Sequence, residues 1–164
     1  MRLVVGLTLA AHGAQKLFGW WGGPGMQNWT AGMTRMRIRP AAPWAWMSAL
    51  AEFLGGLGLA AGLLIPLPNF AILGAMLVAI SLVHWPKGFF NTKGGFEFNI
   101  SIIAAIAAVA LAGPGAYSLD AILRIHLPEP ATLVAGTILT VLGVGVAVGT
   151  RKPQPAPEKK TQAA

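Results

Sequence analysis

Five ionisable side chains stand within or at the edges of otherwise apolar stretches of this sequence: His12, Lys16, Glu52, His84 and Glu97. An unpaired charge at the centre of a membrane helix costs about 2.5–3.5 kcal/mol, so such groups turn inward and pair. Lys16 requires an acid, which Glu52 or Glu97 supplies, and His12 is placed to share Glu52. One outcome is a polar plug that fixes helix register. The other is a polar pocket that hydrogen-bonds a ligand inside the bundle. A quinone asks little of such a pocket: an apolar slot and one or two donors at its carbonyl oxygens. On that reading His12, Lys16 and His84 are the ligand-binding candidates. Glu52 and Glu97 are the catalytic candidates, passing protons or balancing charge.

Other chemistries find less support. The chain has no Cys, which excludes disulfides, thiolate metal sites, Fe–S clusters and Cys nucleophiles. No Ser–His–Asp or HExxH pattern occurs. His12 and His84 are the intramembrane pair available to a haem, but their estimated depths differ by roughly 13 Å. Neither haem nor metal is therefore expected. The turn Gly22-Gly23-Pro24-Gly25 lacks the Lys and Ser/Thr of a phosphate loop. A small-solute transporter would also place ionisable groups near the midplane, but no inverted repeat is visible.

The elements that must position these residues follow from composition. Of 164 residues 55% are hydrophobic and only 10% charged, against about 25% charged in soluble domains. Five runs are long enough to be read as membrane spans: 3–20, 43–65, 69–85, 96–112 and 131–149. They are rich in Leu and Ala and lack alternation, which predicts helices and not strands. Pro40 and Pro43, Pro66 and Pro68, Pro86 and Gly88, Gly113-Pro114-Gly115, and Pro128 and Pro130 punctuate them. Residues 1–150 are expected to form one all-α membrane bundle. Residues 151–164, polar and basic with three prolines, read as a disordered cytoplasmic tail.

Charge sets the expected orientation. The 21–42 and 86–95 loops and the tail carry nine Lys and Arg; the opposite side carries Arg2 and Arg124. The positive-inside rule then puts the N-terminus outside and the C-terminus in the cytoplasm. Reading 3–11 as a cleaved signal peptide would invert that rule. All six Trp lie in or beside loops of the basic side, as interfacial anchors or as an aromatic entrance for a ring-shaped lipid-soluble ligand. All five ionisable candidates fall between the midplane and this side. Met26, Trp29, Met33 and Met36 recur at helical spacing beside three Arg, which suggests an amphipathic helix anchored in the interface. Glycines at 55, 56, 58, 62, 145 and 149 are packing signals. Ser118 with Asp120 predicts a capped short helix over 119–126.

The motifs together resemble the DoxX/DoxD-like family of small integral membrane proteins. The resemblance rests on His12-Gly13-Ala14-Gln15-Lys16-Leu17-Phe18-Gly19, on Glu52 with Gly55-Gly56, and on His84 with Lys87-Gly88-Phe89-Phe90. Glu97, Gly113-Pro114-Gly115 and Ser118-Leu119-Asp120 extend it, so that it covers about residues 3–124. It implies a four-helix membrane core, with the span at 131–149 as an addition. It also implies a membrane subunit of a redox system handling quinone or quinol, as in thiosulfate:quinone oxidoreductase or quinol oxidase systems, and a second protein subunit. A bacterial or archaeal cytoplasmic membrane is the expected setting. The alternative is a non-catalytic membrane partner or scaffold. Lipid and a partner subunit are the expected contacts, self-association stays open, and nucleic acid is not expected.

Overall fold

A computed structural model describes residues 1–150 of the chain; the expected tail lies outside the described residues. The described residues contain no strand. Seven α-helices follow in order: α1 (Arg2–Phe18), α2 (Gly25–Arg35), α3 (Ala41–Ala61), α4 (Leu67–Ala79), α5 (Glu97–Ala112), α6 (Leu119–Leu123) and α7 (Ala131–Gly149). Among the described residues three helices are long and apolar enough to cross a membrane: Ala41–Ala61, Leu67–Lys87 and Ala131–Gly149. The protein is an all-helical membrane bundle. The outward side chains of α7, among them Ile138, Leu139, Val141 and Leu142, are exposed, as they must be where the surrounding solvent is hydrocarbon.

Helix ends follow local chemistry. Gly19 (φ 74) and Gly62 (φ 65) close α1 and α3 in the left-handed conformation that glycine adopts without Cβ strain. Trp20 and residues 63–65 therefore fall outside the helices. The third helical rod starts at Leu67, opens into a wide π turn over Ile80–His84 and tightens to a 3-10 turn at Trp85–Lys87.

The α1–α3 pair is the tightest contact in the fold, and glycine explains it. A Cβ on Gly13 would stand 2.4 Å from Phe53 N, and one on Gly56 2.4 Å from Ala10 N. Gly6 is equally enclosed, at 2.5 Å from Ala60 N. The two backbones meet directly, as small residues allow between membrane helices. Leu9, Leu59, Ile72, Met76, Ile102 and Ile106 then form a core shared by α1, α3, α4 and α5. Two amides tie this core: Asn69 Nδ2 donates to Ile106 O (3.1 Å) and Asn99 Nδ2 to Met76 Sδ (3.4 Å). Outside it, α7 packs on α4, with Gly136 against the Phe70 ring.

The far end of the bundle is laced by polar groups. Asp120, buried, accepts hydrogen bonds from Leu64 N (2.7 Å) and Ile65 N (2.9 Å). Arg2 donates to Pro114 O and Tyr117 O. Ser118 caps α6, accepting from Ala121 N at 3.1 Å. The helix expected over 119–126 stops at Leu123, because Arg124 takes a left-handed conformation (φ 55). Asp120 does not share the capping; it serves the α3–α4 turn instead.

Candidate functional site

The close α1–α3 approach sets two charges side by side. Lys16 lies near the end of α1 and Glu52 in the middle of α3, and Lys16 Nζ donates to Glu52 Oε1 at 2.5 Å. Burial strengthens this ion pair, because little water competes for either partner. The Lys16 ammonium also sits over the Trp29 ring of α2, 4.3 Å from its centroid. Trp29 in turn is held by its indole N–H, which donates to Ser48 Oγ at 2.9 Å. Ser48 passes its own proton to Ala45 O (3.0 Å), one turn back along α3.

This polar cluster forms one wall of a cavity of about 310 Å³ lined by α2, α3, α4 and α7. The remaining walls are almost entirely apolar. Met33 comes from α2 and Met36 from its C-cap, Trp44 and Met47 from α3, Phe70 and Val78 from α4, and Gly143 and Val144 from α7. The π turn adds Leu82 and Val83. Such turns widen a helix locally and recur at functional sites. Glu52 is 5% exposed. Its Oε2 is buried and accepts no hydrogen bond.

The five residues singled out in the sequence do not form one pocket. Lys16 and Glu52 come together. His12 is exposed and meets the Phe98 ring of α5, centroids 6.1 Å apart, instead of sharing Glu52. His84 lies in the connection between α4 and α5, and Glu97 is the first residue of α5. His84 Nδ1 bonds to Gly94 O at 2.6 Å, and Glu97 Oε2 accepts from Asn91 N at 3.0 Å. Both fold a local loop and neither lines the cavity. The physical reason is rotation about the helix axis: depth along a helix, which sequence gives, does not say which way the side chain points.

The structure also corrects the reading of α2 as a surface anchor. The stripe Met26, Trp29, Met33 and Met36 turns onto the bundle, not to lipid, and packs around buried Met33, Ile38, Ala45 and Leu82. It forms the lid of the cavity. Of the six tryptophans, Trp29 and Trp44 line the cavity, while Trp20, Trp21, Trp46 and Trp85 are exposed. Gly6 and Gly13 escaped the sequence reading, although their seven-residue spacing puts both on one helix face. The contribution of α7 had no sequence signal at all, since Gly143 and Val144 resemble any lipid-facing pair.

The DoxX family model matches residues 1–85. The chain belongs to that family. The matched segment contains α1 to the π turn, hence the ion pair, the lid and most of the cavity wall; α5 and α7 lie beyond it. No curated protein and no solved structure matches the chain.

Proposed function

We propose that this DoxX-family chain is the membrane subunit of a redox system and that it holds a quinone or quinol ring in the cavity beneath α2. The observation that carries this reading is one buried ion pair set into the wall of an otherwise apolar cavity. At about 310 Å³ the space lies at the lower end of ligand pockets, which run from about 300 to 1,000 Å³. That suits a single substituted ring, with any prenyl tail leaving between helices. The residues fit the group: Lys16 Nζ has protons beyond the one given to Glu52 and can donate to a ring oxygen. Glu52 Oε2 can accept a proton. Trp29, Trp44 and the methionines offer flat and soft surfaces to a ring.

A bound quinone supplies two-electron, two-proton chemistry; the chain supplies position and a dry surrounding. Lys16 orients the ring by a charge-assisted hydrogen bond. Glu52 holds the ammonium in place by one oxygen and leaves the other free for a proton. Electrons come from a partner subunit, in keeping with the family resemblance. The basic loops support a cytoplasmic lid side by the positive-inside rule.

The test is a titration of the full chain in lipid nanodiscs with a short-chain benzoquinone, followed by tryptophan fluorescence. Trp29 and Trp44 report from the cavity wall. The control is Gly143→Leu. Gly143 lines the cavity and a Cβ there meets nothing within 4 Å, so bulk can be added at the cavity edge without displacing the backbone. Saturable quenching in the native chain, weakened at least about tenfold in Gly143→Leu, is expected. Linear quenching of equal slope in both proteins overturns the proposal and leaves a scaffold role.

A further inference from the structure

The hydrogen-bond state of the cavity wall is uneven. The Ser48 hydroxyl accepts from Trp29 and donates to Ala45 O. The Thr140 hydroxyl donates to Gly136 O of its own helix. Lys16 is engaged by Glu52 and by the Trp29 ring. Against these committed groups stands Glu52 Oε2, buried in a residue that is 5% exposed, with no donor within reach. A buried acceptor left unpaired is costly, and more so if it is charged. The cavity therefore has a defined chemical want. Glu52 belongs to the cavity wall, and its Oε2 lacks a hydrogen-bond donor behind that wall while Oε1 holds the Lys16 ammonium.

The two redox forms of a quinoid ring answer that want differently. A ring carbonyl carries only lone pairs. It can accept from Lys16, but against Glu52 Oε2 it sets oxygen against oxygen. A ring hydroxyl donates to Oε2 and can still accept from Lys16 through the same oxygen. We infer that the cavity selects the reduced, hydroxyl-bearing ring, and that Glu52 Oε2 is the group that reads it. The inference rests on the quinone or quinol reading above and adds which form is held. It makes the chain a site that holds the reduced ring, the form reached when two electrons from the partner subunit and two protons have been added to a quinone. Hydrogen bonds to a charged acceptor are worth about 1.5–3 kcal/mol, which corresponds to roughly ten- to a hundredfold in affinity.

The experiment is anaerobic calorimetric titration of the full chain in nanodiscs, with empty nanodiscs as blank. Three probes of one ring are used: a short-chain benzoquinone, its hydroquinone, and the hydroquinone dimethyl ether. The expected order is hydroquinone tighter than quinone and tighter than dimethyl ether, each by at least about tenfold. Glu52→Gln is the second arm. With its carbonyl oxygen kept on Lys16, the Gln amide puts an N–H₂ where Oε2 stood. That donor favours a ring carbonyl, so the hydroquinone preference is expected to vanish or reverse. Equal affinity for quinone and hydroquinone overturns this inference while the quinone-site proposal stands. Hydroquinone preference that persists in a folded Glu52→Gln overturns the assignment to Glu52. No saturable binding of any of the three probes removes both. The comparison among probes on the native chain keeps the test decisive even where the variant does not fold.

Discussion

Breaking the Lys16–Glu52 pair from one side gives the most demanding test of the site. Lys16→Met keeps the length and apolar stem of the side chain and removes the ammonium. Glu52 then has neither oxygen paired, since Lys16 is the sole donor to Oε1 among the described residues and Oε2 has none. The side chains are 17% and 7% exposed, so solvent screening softens the effect little. Removing one member of a buried pair costs about 3–5 kcal/mol, mostly through the charge left behind. The double variant Lys16→Met/Glu52→Gln carries no such charge and is expected to recover more than half of that loss. The assay is reversible unfolding by denaturing detergent in mixed micelles, read by far-UV circular dichroism, with all four members of the double-mutant cycle compared. A single variant within about 1 kcal/mol of the native chain, or a double variant no better than the single, refutes the view that these charges are paired and dry.

Three further outcomes follow from the geometry. Gly56→Ala places a Cβ 2.4 Å from Ala10 N; α1 and α3 must separate, at a cost of about 1–3 kcal/mol for overpacking. The same variant is expected to weaken quinone quenching, because the separation pulls Lys16 from Glu52. Asp120→Ala strands the buried N–H of Ile65 and that of Leu64, for a loss of about 2–4 kcal/mol by the same unfolding assay. Its probe affinity should stay native, since the cavity lies at the other end of α3. His12→Ala is expected to be near neutral in both assays, because His12 is exposed and its recorded contact is the Phe98 ring; a large loss of quinone affinity would bring His12 into the site.

What was legible in the sequence was whatever depends on position along a helix. The apolar runs and their Pro and Gly punctuation gave the helices, and the cost of a lone charge in hydrocarbon demanded that Lys16 find an acid. Glu52 satisfies that demand. What was not legible depends on rotation about the helix axis and on how two helices cross. His84 and Glu97 turn to the 88–97 loop, whose backbone N–H and C=O groups claim them. The lid was half visible. The spacing of Met26, Trp29, Met33 and Met36 showed an apolar stripe, but a stripe beside arginines faces lipid or protein with equal ease, and only the packing against Ala45 and Leu82 decides.

The same logic explains why α7 matters although it lies beyond the family match. Four helices bury the common core, and α7 is not needed for it. It is needed for the cavity. Thr140, Gly143, Val144 and Ala147 close the side that α4 leaves open. They can do so because Gly136 lets α7 lie against Phe70 without a side chain between them. A DoxX-type core that ended at α5 would present the Lys16–Glu52 wall to lipid on that flank. In this chain the ion pair faces a cavity of about 310 Å³. The small residues of α7 set that size, so Gly143 tunes what the cavity admits and Glu52 tunes which oxygen it prefers. Substitutions at these two positions should therefore separate cleanly. Bulk at position 143 should lower affinity for every ring probe alike, and a change of polarity at position 52 should alter only their order.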